Sequence, residues 1–194
     1  IPTPAAVSSV GVAPAGSWSV AVECPDGWCL ETPKDIAGPL DFAVAWLATP
    51  PQKTEREGVV AWHGTTHGAT AGEILEDVNT IVETLATMSS MGPSPVETVM
   101  QVPRGGSFGL HGDVLWLPED FGWDVTSGGV GQRLRRFTIA REIAATELAK
   151  ATELRREPGY RLLTDGVAGW VALEVVSALE GDDAWRMLVA HQAA

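Results

Sequence analysis

The sequence predicts an α+β fold, with antiparallel strands in its N-terminal third and helices on one side of the sheet. Three observations lead there. Short apolar runs between Pro- and Gly-bearing turns fill residues 18 to 62, the apolar period lengthens to three and four residues at Thr70, and from Gln132 onward most of the chain has helical character. Strands, a helix, strands and then helices, in that order, suit helices packed on one face of a sheet.

Residues 1–17 are Pro, Ala, Ser, Gly and Val without a period, which is expected of a linker or flexible arm. A strand-rich segment, 18–62, follows, and residues 63–194 complete one compact unit with it. Trp18–Val22, Leu40–Trp46 and Val59–Trp62 read as strands of an antiparallel sheet, and residues 50–58 as a solvated hairpin connection. From Thr70, the residues Ile74, Leu75, Val78, Ile81, Val82, Leu85 and Met88 form one apolar helical face. Thr70 and Glu73 offer a capping box, and Gly92-Pro93 ends the helix. Val96–Val102 and Asp113–Leu117 read as two strands joined by the Gly-rich loop 104–107, which lacks the spacing and the following helix of a phosphate cradle. Helices are then expected from Gln132 to about Glu157, from Thr164 to about Leu179, and from Asp183 to Ala190.

Charge narrows the function. With 25 acidic against 13 basic residues the net charge is -12, a field that repels phosphate backbones, so no nucleic-acid partner is expected. No apolar run reaches the roughly 18 residues that cross a bilayer, so no membrane insertion is expected within this chain. The chain opens on Ile1 rather than Met, as a processed product or a piece of a longer protein would.

Cys24 and Cys29, the two cysteines, flank Pro25-Asp26-Gly27-Trp28, strong turn chemistry. A disulfide across the turn suits an oxidising compartment, and two reduced cysteines beside a turn are the alternative. Their spacing is neither Cys-x-x-Cys nor a four-cysteine zinc site. His63, His67, His111 and His191 fall on different elements except the first two, which a strand end would hold far apart, so no metal is expected from them. The tryptophans are expected mainly in packing.

The chemistry-bearing pattern lies near the C-terminus. The long helix carries Phe137-Thr138-Ile139-Ala140-Arg141-Glu142-Ile143-Ala144-Ala145, and the next opens Leu162-Leu163-Thr164-Asp165-Gly166-Val167-Ala168-Gly169-Trp170. With His at 141 and 145 and Glu at 165, this would be His-Glu-x-x-His on one helix face, with a third zinc ligand on the following helix. The pattern resembles the membrane alanyl aminopeptidase family of gluzincins, closest to the branch found on the outer face of bacterial ABC-type permeases. Nineteen residues lie between Ala145 and Asp165, the spacing of that branch. Trp62-His63-x-x-x-His67 and Met100-Gln101-Val102-Pro103 resemble its upstream segments, and Trp116-Leu117-Pro118-Glu119 its cleft-edge strand. The resemblance spans about Asp35 to Leu179 and implies a thermolysin-like mixed sheet-plus-helices domain at 63–194. It also implies a cleft rim including Glu119, Trp116 and Trp170, with Trp123 as a further lining residue.

The departures from that family decide what is expected of the site. Arg141 stands at the first histidine and cannot ligate zinc, because a guanidinium does not deprotonate. Ala145 removes the second donor. Glu142 keeps the general-base position without a metal-bound water to activate, and Asp165 is a methylene shorter than the family's Glu. The transition-state tyrosine would follow the second helix, whereas the one tyrosine, Tyr160, precedes it. The resemblance thus implies a pseudo-peptidase with no metal or cofactor and no catalytic residue. It would be an extracytoplasmic binding or regulatory module for a peptide or protein partner such as a transporter subunit. Arg141 is expected to neutralise Glu142 and Asp165. The alternatives are an active hydrolase using Glu142 and Asp165, a purely structural assembly domain, and an ordinary solvated helix face at Arg141-Glu142.

Overall fold

A computed structural model describes residues 29–31, 45–47, 52–88, 96–106, 108–125, 127–151, 159–160 and 162–192, with backbone alone at 29–31, 45–47, 151, 163 and 192. The expected strand at Trp18–Val22, the turn residues around Cys24, the Gly92-Pro93 stop and the arm 1–17 lie outside them.

The fold is α+β. Two short strands, β1 (Cys29–Glu31) and β2 (Ala45–Leu47), pair antiparallel. The remaining strands are β3 (Gln52–Arg56), β4 (Val59–His63), β5 (Thr98–Val102), β6 (Gly109–His111) and β7 (Val114–Pro118). They form one mixed sheet ordered β3-β4-β5-β7-β6. Pairing is antiparallel for β3 with β4 and for β6 with β7, but parallel for β4 with β5 and for β5 with β7. The antiparallel sheet expected through Val59–Trp62 therefore continues as parallel pairing.

Residues 52–58 are not a mere connection. Gln52–Arg56 forms an edge strand, and Glu57-Gly58 turns the hairpin with φ of 52° and 85°. Positive φ at both central residues suits the right-handed twist of the flanking strands, and Gly58 adopts it without steric cost. The connection between β5 and β7 also differs from expectation. It contains β6, and since β5 and β7 run parallel they cannot be a simple hairpin.

Alternation sorts the sheet into two faces. Ala61, Val99 and Leu115 stand in register on the helix side, while Trp62, Met100 and Trp116 form a row on the other. Helices α1 (Gly68–Met88), α2 (Val130–Ala151), α3 (Val167–Glu180) and α4 (Asp182–Gln192) share one apolar core with the first face. Ile74, Leu75, Val78 and Ile81 are fully buried there, as the three- and four-residue period of α1 requires. The helix starts two residues before Thr70, with Ala71 N–H donating to the His67 carbonyl at 2.8 Å, so the capping box at Thr70 and Glu73 is not used. On the second face Met100, Val102 and Val114 are buried with Trp62 and Trp116 against them. There β2 approaches β5, whose edges β4 and β7 already occupy.

Candidate functional site

α2 and α3 pack along one another, so the two segments that carry the peptidase-like pattern are neighbours. Arg141, Glu142 and Ala145 lie on α2, and Asp165 on a π-helical turn (Leu162–Gly166) that leads into α3 and touches α2. Arg141 Nη2 donates to Glu142 Oε1 at 3.0 Å. Adjacent helical residues diverge by about 100°, so the contact needs both long side chains to bend toward each other. The pair is partly open to solvent, with side-chain exposures of 42% and 24%.

Glu142 also faces the sheet edge. A Cβ placed on Gly109 of β6 would lie 3.9 Å from Glu142 Oε2 and 3.4 Å from His111 Nε2. Gly109 and Leu110 are buried beside the α2 carboxylate, and His111 is the exposed end of the strand. β6 ends the sheet order, so its outer edge has no strand partner among the described residues.

Asp165 does not join Arg141. It is exposed, and its one side-chain hydrogen bond among the described residues is a long 3.5 Å approach from the Thr164 hydroxyl, which itself donates to the Tyr160 carbonyl at 3.0 Å. The expectation that Arg141 neutralises both carboxylates is therefore met at Glu142 only.

The rim residues disperse. Trp116 and Pro118 lie on β7, which is flanked by β5 and β6, and β6 ends the sheet among the described residues. Trp116 is half-buried on the second face with the His111 ring edge-on at 5.9 Å. Glu119 accepts from Gln101 Nε2 at 2.7 Å and approaches Arg104 at 3.9 Å. Trp123 is buried and donates from its indole to the Leu117 carbonyl at 2.9 Å. Trp170, in contrast, is 60% exposed on α3.

His63 and His67 meet rather than diverge, because the turn Gly64–Thr66 folds the chain back before α1. Both rings contact Trp123, at centroid distances of 5.8 and 6.0 Å. His63 has Nδ1 2.8 Å from the Gly64 carbonyl, which requires Nδ1–H to donate, and Nε2 2.8 Å from the Thr54 hydroxyl. His67 Nε2 lies 3.3 Å from Asp124, which also pairs with Arg104. Buried Gln101 accepts from Gly64 N–H at 2.7 Å and donates to Glu119. A continuous polar chain therefore ties together the loops that follow β4, β5 and β7. Its signal in the sequence was a lone Gln in the apolar strand Thr98–Val102. No group of three His, Cys, Asp or Glu suited to a metal ion occurs among the described residues.

Sequence reading also missed an ionic network in the helical layer. Asp77 and Arg135 are almost wholly buried, with Arg135 Nε and Nη2 at 3.0 and 2.7 Å from Asp77 Oδ2 and Nη1 3.0 Å from the Gly122 carbonyl. Arg136 donates to Asp77 and Glu180, at 2.7 and 2.8 Å, and Arg133 to Glu180 at 2.7 Å. Burial acts to lower the pKa of Arg136, but the hydrogen bonds and charges of Asp77 and Glu180 outweigh it and raise the pKa above the ordinary arginine value. The network joins α1, α2 and α3 and fixes the helices that present Arg141 and Asp165.

No protein-family model matches the chain, and comparison with curated proteins finds no match.

Proposed function

We propose that this chain is a non-catalytic binding module of gluzincin-like descent, in which a peptide or protein partner lies along β6 against α2. The observation that carries the proposal is the Arg141–Glu142 contact at 3.0 Å beside that edge strand. In a zinc peptidase of this kind, the residue at position 141 delivers a metal ligand and the carboxylate at 142 works on metal-bound water. Here the cation is built into the chain and holds the carboxylate itself, which leaves nothing to polarise a water. Ala145 supplies no donor atom. Support for the descent comes from the spacing between Ala145 and Asp165 and from the packing of α2 against α3. The outer edge of β6, which has no strand partner among the described residues and ends at the exposed His111, supports a recognition role, since an unpaired strand edge offers its N–H and C=O groups to an extended segment. Extracytoplasmic placement and association with a transporter subunit belong to the same proposal.

Metal content tests it. Protein purified without a metal-affinity tag is expected to carry no stoichiometric zinc and to hydrolyse no aminopeptidase substrate. The double substitution Arg141→His/Ala145→His, which restores two ligands one helical turn apart on the helix that touches the turn carrying Asp165, is expected to recruit zinc. Stoichiometric zinc in the unaltered protein overturns the non-catalytic reading. A folded double variant that takes up no zinc overturns the gluzincin descent.

A further inference from the structure

We propose that β3 is a self-association edge, through which two copies of this chain pair antiparallel about a two-fold axis and join their sheets into one continuous sheet. β3 ends the sheet order, and its outer edge has no strand partner among the described residues. Gln52, Lys53, Glu55 and Arg56 are exposed, and Thr54 is half-buried. The β3–β4 hairpin fixes which backbone groups face outward. Arg56 and Val59 flank the two-residue turn Glu57-Gly58 and so form a hydrogen-bonded pair, and such pairs recur at Thr54 with Ala61 and at Gln52 with His63. Lys53 and Glu55 alternate with these residues, so their N–H and C=O groups point away from β4 to the open edge.

Charge selects the occupant and the register. With the two-fold axis at Thr54, Lys53 stands opposite Glu55 of the partner subunit and Glu55 opposite Lys53 of the partner subunit, and each of these pairs exchanges both backbone hydrogen bonds. Lys53 and Glu55 already meet at 2.9 Å within one strand, on the sheet face they share with Trp62 and Val60, so the charges would alternate both along and across the joined strands. On the other face Thr54 meets Thr54 of the partner subunit, a favourable cross-strand pair, and Arg56 meets the uncharged Gln52 of the partner subunit. A slip of two residues either way sets Lys53 against Lys53 of the partner subunit, or Glu55 against Glu55 of the partner subunit, and like charges directly opposite disfavour both registers. A strand of uniform charge would likewise meet a like charge at Lys53 or at Glu55. Charged edge strands ordinarily deter pairing, but here the alternation leaves one register open. The residues before β3, Ala48-Thr49-Pro50-Pro51, are uncharged, and the strand with its turn balances Lys53 and Arg56 against Glu55 and Glu57. The contact is therefore locally neutral, although the net charge of -12 on each copy opposes approach and keeps the association weak. β6 lies at the opposite end of the sheet order, so the inference does not rest on the peptide-binding reading, and a dimer formed at β3 leaves both β6 edges free.

Sedimentation velocity of the whole chain tests the proposal. The mass is expected to climb from that of one chain toward that of two between about 10 μM and 1 mM, as suits a small interface. Lys53→Glu and Glu55→Lys are each expected to weaken association about 10-fold or more, since each sets like charges against one another at both symmetric pairs. An equimolar mixture of these two single variants is expected to recover the parent association as a mixed dimer, and the double variant Lys53→Glu/Glu55→Lys to recover it alone. Both side chains are exposed, so the variants should keep the parent far-ultraviolet circular dichroism. Glu55→Pro, which removes an N–H that β4 does not use, is expected to abolish association in a folded chain. The mass of one chain at every concentration overturns the proposal. So does a Lys53→Glu variant that associates like the parent, which would place the contact elsewhere, or a dimer that survives Glu55→Pro. A mixture of the single variants that associates no better than either alone also overturns it.

Discussion

Replacement of Asp77 by Asn tests whether the ionic network holds the helical layer together. The exchange preserves shape and removes one charge. In the parent, Asp77 Oδ2 takes two bonds from Arg135 and Oδ1 one from Arg136, and Asp77 and Arg135 are 1% and 0% exposed. Asparagine would offer one oxygen to these donors and turn an N–H2 group toward a guanidinium that can only donate. Arg135 would keep the Gly122 carbonyl and a remote Glu73 at 3.8 Å. A buried cation deprived of its partner costs about 3–5 kcal/mol. For a chain of this size that corresponds to a midpoint lowered by roughly 6–20 °C, at about 2–4 °C per kcal/mol. Urea unfolding followed by circular dichroism measures the loss. Adding Arg135→Met to Asp77→Asn should recover part of it, because the stranded charge is removed along with its need for a partner. A loss under about 1 kcal/mol for Asp77→Asn, the size of a solvated surface pair, would refute the reasoning.

Further outcomes follow from other contacts. Arg141→Ala should destabilise by under about 1 kcal/mol in the same urea assay, since a pair 42% and 24% exposed is largely screened; a loss above about 3 kcal/mol would show a sheltered cleft. Gly122→Ala should cost about 1–3 kcal/mol, because its Cβ would fall 2.3 Å from Cγ of the fully buried Leu117; a neutral result would mean that Leu117 has room to turn. Cys24 and Cys29 should yield no free thiol on titration under denaturing, non-reducing conditions, and two thiols would remove the argument for an oxidising compartment.

The elements that could be read from the sequence are those whose periodicity alone defines them. Ile74, Leu75, Val78 and Ile81 announce α1, and alternation in Val59–His63 places Ala61 and Trp62 on opposite faces. Strand neighbours could not be read in this way, because alternation specifies a face and not a partner, and the parallel register of Val99 with Ala61 and Leu115 depends on crossovers far along the chain. The edge strands were hidden for separate reasons. Gln52–Arg56 is polar on both faces and relies on Glu57-Gly58, a weaker hairpin signal than Asn-Gly, while Gly109–His111 is only three residues long.

Asp77 could have been noticed, since it falls three residues after Ile74 and four before Ile81, inside the buried stripe of α1. An acidic residue in that register demands a buried cation, and Arg135 stands four residues before Ile139 on the corresponding stripe of α2. At the candidate site, spacing could place Arg141, Glu142 and Ala145 on one helix and Asp165 before the next. Whether a single cation could serve both carboxylates was a tertiary question. The Arg141 side chain bends toward its own neighbour, Glu142. Asp165 is exposed on the turn before α3 and has no cationic partner among the described residues, so the guanidinium that stands at the first metal position serves one carboxylate of the two.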